Sequence, residues 1–342
     1  MTEAETAPSV ASTEPSAPTP TRRSRGMSDG LIVPGVTFLI LLLFPIASAA
    51  AASDGYVLSL VARIMIFAVA ALSLDLLVGY GGLVSFGHAA FIGLGAYAVG
   101  ILASHGITDM LISLPVAVTG AALFAFVTGA VCLRTKGVHF IMITLAFGQM
   151  TFFLASSLAP YGGDDGLTIQ SRSTIAGFAL IAGERSFYFF VLACLVCIYF
   201  LCRALIRSRF GRVFRGTREN PARMAATGFN VYRYQHVAYV IAGAIAGLAG
   251  FLLANATEFV SPAYMSWQRS GDLILMVILG GVGRLNGALF GAAGLLLLEE
   301  FLSARTEHWR VILGPILVLV ALFANGGLTG AAVLLKRSLA RD

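Results

Sequence analysis

Apolar runs separated by short polar or glycine-rich stretches follow one another from Leu31 nearly to the C-terminus. They read as candidate spans at 31–51, 56–79, 86–104, 110–133, 138–158, 186–206, 236–256, 272–284, 286–302 and 310–334. None alternates polar with apolar residues as a barrel strand would, and all but the eighth and ninth reach the ~20 residues of a membrane-crossing helix. A helix satisfies its own backbone in lipid, so the pattern predicts an all-α polytopic membrane protein with about ten transmembrane helices. The eighth and ninth runs are short, glycine-rich and joined at Arg284-Leu285, so they read either as two crossings or as a broken, re-entrant pair. A count of eight or nine crossings stays open on that ground.

Composition agrees with the pattern. The chain has 342 residues, of which 58% are hydrophobic and 12% charged, and its mean hydropathy is +0.85. That is too little charge for a water-facing surface of this length. Residues 1–29, rich in Ala, Pro, Thr, Ser and Glu, are expected to be a disordered cytoplasmic tail ahead of a membrane domain at 30–335 and a short basic end at 336–342. Ala47-Ser48-Ala49 mimics a signal-peptidase site, but the run before it is long enough to favour an uncleaved first span. Arg22, Arg23 and Arg25 before the first run set the N-terminus inside. Counting from there, Arg134 and Lys136, the arginines of 203–233, and Lys336, Arg337 and Arg341 all fall inside, whereas Asp164, Asp165 and Glu184 fall outside. Both termini are therefore expected in the cytoplasm. The pI of 9.3 reads as this loop bias rather than as a nucleic-acid surface. Cys132, Cys194, Cys197 and Cys202 lie in apolar runs and read as embedded thiols, because no second pair or histidine accompanies Cys194-x-x-Cys197.

One loop stands apart. Residues 208–235 carry six arginines and one glutamate between two apolar runs. Within the loop 207–235, Asn220 is a suitable N-cap, Pro221 suits the first helical turn, and Gly228 can take the left-handed stop, which predicts a short helix near 220–228. Two turns are marginal alone in water, so this helix needs a surface to dock on. Its small face of Ala222, Ala225 and Ala226 permits close approach, Glu219 and Arg223 belong to the same candidate helix, and flanking arginines could reach acidic groups or lipid phosphates. A solvated loop that only fixes orientation would not require a capped helix. A transporter driven by a separate motor would.

Glycine clusters mark two further places. Gly79, Gly81 and Gly82, with Ser85, Gly87 and His88, interrupt the second and third spans; Gly280, Gly281 and Gly283, with Asn286, lie between the eighth and ninth. Unwound backbone of this kind lines cavities or allows close helix contact, so these residues are translocation-path candidates. Asp75 stands out as an ionisable group inside a span, and reads either as a functional carboxylate or as a local cap or pair. Thr144 and Gln149 line the path or bond between helices, and His88 packs or lines in the same way. The Gly283-x-x-x-Gly287-x-x-x-Gly291 ladder suits tight packing.

These segments resemble the permeases of branched-chain amino acid ABC importers. The resemblance is carried by LDLLVGYGGLVSFGHAAFIGLGAY (74–97), LRTKGVHFIMITLAFGQ (133–149), YGGDDGL (161–167), Phe210-Gly211-Arg212, Arg218-Glu219-Asn220, Ala225 to Asn230, AGLAGFLLANATEFVSPAYMSW (246–267) and LILMVILGGVGRLNGALFGAAGLLLLEE (273–300). It covers roughly 31–335 and points to the longer-chain permease of a heterodimeric pair. The resemblance implies a second permease subunit, two cytoplasmic ABC ATPase subunits, an extracytoplasmic solute-binding protein and a bacterial plasma-membrane location, with 220–228 as the ATPase-coupling helix. The family pattern commonly shows Asn where this chain has Asp75, which implies that the charge is dispensable.

No phosphate loop, dinucleotide fingerprint, H-E-x-x-H or G-x-S-x-G occurs, so neither catalysis nor a cofactor is expected of this chain, and no nucleic acid. Two other readings stay open: a urea- or amide-type importer of the same family, and an ion-coupled secondary transporter using Asp75.

Overall fold

The computed structural model describes residues 32–50, 54–174 and 183–323, with Gly327 and Gly330. The tail at 1–29, the basic end at 336–342 and the last part of the tenth candidate span lie outside them. The protein is a bundle of α-helices: α1 (Ile32–Ala50), α2 (Asp54–Asp75), α3 (His88–Ser104), α4 (Met110–Cys132), α5 (Val138–Ser157), α6 (Glu184–Arg207), α7 (Arg209–Glu219), α8 (Pro221–Ala226), α9 (Val231–Thr257), α10 (Trp267–Gly280), α11 (Leu285–Ser303) and α12 (Trp309–Phe323). A helix thus occupies each of the ten apolar runs, and α7 and α8 fill the arginine loop. The one sheet among the described residues pairs Leu167–Thr168 (β1) with Phe259–Val260 (β2), antiparallel.

Six of these elements are long and apolar enough to cross a membrane: Gly55–Gly81, α4, α5, α6, Val231–Thr257 and α11. Large apolar side chains such as Leu123, Phe126, Met142, Phe153 and Val311 are exposed. A surface of this kind requires lipid, so the fold is an all-α, multi-pass membrane protein. Burial separates centre from rim. The most apolar windows of α2 and α9 are each 72% buried, against 22% for α4 and 28% for α5. α9 reaches the centre through small residues. A Cβ at Gly243 would stand 2.5 Å from Ala125 Cβ, and one at Gly95 or Gly250 would collide with the backbone of Gly247 or Ile92. In lipid, helices gain from such close approach because no apolar surface leaves water when they associate.

The turns sort to two ends. The turn at Thr135–Gly137 shares a cavity of about 270 Å3 with Gly82, Arg218 and Pro221, so it lies with the arginine loop. β1 and β2 meet at the opposite end, where Ser173 N–H also donates to the buried Asn255 side chain at 2.8 Å. The Thr135–Gly137 turn and the arginine loop thus share one end, and the β1–β2 pair lies at the other.

α10 and α11 differ from the expected 272–284 and 286–302. α10 begins at Trp267, five residues early, and ends at Gly280. Gly281 and Gly283 then take φ of 110° and 77°, a region open to glycine. Gly283 is thus a turn residue rather than the first rung of a helical ladder. Gly287 and Gly291 do serve as expected, lying against the backbone of Gly280 and Met276.

Candidate functional site

The arginine segment is punctuated by side-chain caps. Ser208 Oγ accepts from Gly211 N–H at 3.2 Å and opens α7. Asn220, extended at φ −154°, ends α7 and caps α8, its Oδ1 accepting from Arg223 N–H at 2.9 Å. Pro221 occupies the first position of α8. Gly228, at φ 87°, closes the turn with no atom near the place of a Cβ. Asn230 then caps α9 through Arg233 N–H at 3.2 Å. The short helix expected near 220–228 is present, with its cap, proline and glycine in the expected places.

α8 presents its surface outward. Pro221, Ala222, Arg223, Ala225 and Ala226 are all exposed, as are Glu219 and Asn220 before them. Met224 turns inward, its sulfur 2.7 Å from where a Cβ of Gly216 would lie. The helix is therefore clipped to α7 by one thioether while its small residues face away from the chain.

α7 is the element that the sequence reading did not resolve, and it connects α8 to the membrane domain. Phe214 is 1% exposed, and its ring fills the space left by the absent side chain of Gly81. Phe210 stacks on Phe214 and on Tyr234, with centroids 6.1 and 5.4 Å apart. The ring pair lies against a π-helical segment, Leu76–Gly81, that continues α2. Such widened turns shift the backbone bonding register and recur at functional places. Here the Gly79 carbonyl accepts from the Arg218 guanidinium. The aliphatic stem of Arg218 covers Gly82, where a Cβ would stand 3.0 Å from its Cγ.

On the other side of the π segment, Asp75 Oδ1 accepts from Gly283 N–H at 2.8 Å. Asp75 is fully buried, and among the described residues its second oxygen has no hydrogen-bond partner. A Cβ at Gly79 would run into both Asp75 and the Gly283 backbone. Asp75, Gly79, Gly81, Gly82, Gly280, Gly281 and Gly283 are thus brought to one packed joint between α2, α7 and the α10–α11 turn. Asn286, one turn on, accepts from Tyr199 Oη at 2.6 Å.

The remaining candidates form a second group. His88 Nε2 lies 2.7 Å from Ser73 Oγ, which ties the start of α3 to α2. Thr144 Oγ1 accepts from Phe86 N–H at 3.3 Å, and Gly87 lies against the Thr144 carbonyl. Ser85 is buried beside them, whereas Gln149 is half-buried and its side chain makes no hydrogen bond among the described residues. Two features escaped the sequence reading. Arg218 was one arginine among six, with nothing local to single it out. Arg63, like Asp75, is an ionisable residue inside the second apolar run, a signal that was available.

A family model described as "Branched-chain amino acid transport system / permease component" matches residues 56–321. The chain is 28% identical over 324 residues to the high-affinity branched-chain amino acid transport system permease protein LivM of Escherichia coli, covering 88% of this chain and 76% of that one. It is 27% identical over 215 residues to the fructose import permease protein FrcC of Rhizobium meliloti, covering 58% of each. Over 125 residues it is 31% identical to the E. coli permease protein LivH, covering 36% of this chain and 40% of that one. No solved structure matches the chain significantly.

Proposed function

The chain belongs to the branched-chain amino acid transport system permease component family, and from that premise we propose that it is one permease subunit of an ATP-driven importer for branched-chain or related amino acids. It pairs with a second permease to form the translocation path. Two ABC ATPase subunits in the cytoplasm drive it, and an extracytoplasmic solute-binding protein delivers the solute. The membrane is the bacterial plasma membrane, crossed about ten times, with both termini in the cytoplasm.

The observation that carries this reading is α8: a capped, two-turn helix whose exposed face is alanine, fixed to the bundle through α7. A helix this short cannot hold itself in water, and its outward face suits a cleft in a partner. Displacement of α8 by an ATPase would pass through Met224 to α7. From there it would pass through Phe214 and Arg218 to the π segment, then through Asp75 to the Gly283 turn between α10 and α11. Packed joints of this kind switch between discrete arrangements rather than deforming smoothly. The glycines supply the backbone freedom for the switch.

Asp75 bears on the ion-coupled alternative. Its bonded oxygen is committed to Gly283 N–H in the packed joint. That favours a structural carboxylate over an ion site. The test is to solubilise the tagged protein mildly from its native membrane and identify the stoichiometric partners, with Ala225→Cys as a crosslinking handle. A second permease and two ATPases, one crosslinked at position 225, support the proposal. A homo-oligomer without ATPase, reproduced across mild detergents, overturns it.

A further inference from the structure

A second cluster of chemistry lies away from the arginine segment. After α9, the chain does not return along the outside of the bundle; it runs back beside α3. A Cβ at Gly100 would stand 3.3 Å from Val260, and one at Gly93 would meet Met265. Those seven residues of α3 correspond to about 10 Å of descent. α10 therefore starts part-way down α3, with Trp267 and Gln268 still exposed and Ser270 turned into the bundle, where its Oγ accepts from Ala89 N–H at 3.1 Å. Its N-cap residue, Ser266, makes no side-chain bond to the helix. A helix N-terminus at that depth presents unsatisfied N–H groups and the positive end of the helix dipole.

A cavity of about 260 Å3 adjoins this terminus, and its lining has three parts. Arg63 of α2 and Arg269 of α10 contribute guanidinium groups. Thr257 and Tyr264 contribute hydroxyls, which are 3.3 Å apart. Phe67, Ile92, Leu253 and Leu273, all nearly or fully buried, form an apolar wall. Arg63 stands nine residues beyond Asp54, about 13 Å along the helix. Its guanidinium lies 6.0 Å from the Phe67 ring centroid, and among the described residues it forms no ion pair. Arg269 is paired with Asp272 at 3.4 Å, and Asp272 also feels the charge of Arg310. Arg63 is half-buried and its charge also reaches the Tyr56 phenol, but with no carboxylate in ion-pair distance its guanidinium is available to an anionic group in the cavity.

We propose that this cavity binds a small amphipathic zwitterion, with Arg63 and Arg269 holding its carboxylate at the start of α10. The Thr257 and Tyr264 oxygens accept from its ammonium group, and the apolar wall holds its aliphatic side chain. The volume lies near the lower edge of small-molecule sites, roughly 300–1,000 Å3, which suits a single free amino acid. This rests on the importer reading and deepens it, because it places selectivity for an acid in the permease as well as in any binding protein. A neutral sugar, by contrast, would leave the Arg63 guanidinium without a counter-charge.

The experiment uses the full-length chain with its co-purifying membrane partners, washed free of soluble binding protein, in phosphatidylcholine nanodiscs. Equilibrium binding of radiolabelled leucine is measured with leucinamide and fructose as competitors. The expected result is competition by isoleucine but not by leucinamide or fructose, about tenfold or greater weakening in Arg63→Gln, and partial recovery in Arg63→Lys. Arg269→Gln, on a different helix, weakens binding independently of any folding defect at position 63. Leucine binding unchanged in both variants overturns the proposal, as does equal competition by leucinamide. So does an anionic phospholipid retained by wild type and lost from Arg63→Gln in native mass spectrometry, where wild type binds no leucine. ATP-driven leucine uptake by the complete wild-type assembly is measured in parallel. Uptake without a position-63 effect sinks only the cavity, and absence of uptake sinks the importer reading itself.

Discussion

Replacing Asp75 separates the role of its shape from the role of its charge. The carboxyl is fully buried and gives Gly283 N–H its acceptor at 2.8 Å. Asp75→Leu leaves that N–H without a partner inside a packed joint, which costs about 1–3 kcal/mol. The branched side chain adds crowding, because Gly79 lies against the carboxyl so closely that even a methyl group there would collide with it. Asp75→Asn keeps an acceptor oxygen in the same place and nearly the same volume, so its cost stays under about 1 kcal/mol. The assay is thermal unfolding of the purified assembly in nanodiscs together with ATP-driven uptake in proteoliposomes. The Leu variant is expected to unfold several degrees lower and to couple poorly, while the Asn variant transports near the wild-type rate. Loss of transport in an Asn variant that assembles and unfolds normally would refute the structural reading and show that the charge itself is used. A Leu variant as stable as wild type would refute the hydrogen-bond accounting.

Three further outcomes follow from the same geometry. Gly280→Ala directs a methyl group into the Gly287 backbone and should destabilise by about 1–3 kcal/mol, whereas Gly120→Ala meets nothing within 4 Å and should be neutral or stabilising in a thermal unfolding scan. Asn220→Ala removes the cap of a six-residue helix, costs about 1 kcal/mol, and should lower uptake more than it lowers the unfolding temperature of the membrane domain. Arg218→Met keeps the stem over Gly82 but abandons the Gly79 carbonyl, so uptake driven by ATP should fall while assembly of the complex, read by size-exclusion chromatography, is retained.

Eight of the ten apolar runs were long enough to place a helix from the sequence, because in lipid a helix must satisfy its own backbone whatever lies beside it. The α8 boundaries were legible for the same kind of reason: an Asn cap, a Pro at the first turn and a Gly at the stop act on their own neighbours. α7 was not legible, since its caps are ordinary and its apolar residues, Phe210 and Phe214, gain meaning only against Gly81 and Tyr234. Asp75 was noticed, but its partner is 208 residues away, and no local pattern announces a backbone N–H as the acceptor's target. The early start of α10 was hidden as well. Arg269 and Asp272 make 267–272 look like a polar loop until the chain is seen to enter the bundle beside α3. Local backbone chemistry therefore determined where the helices are, and only packing between distant segments decided which glycines meet, which arginine reaches Gly79, and where a charged cavity opens among them.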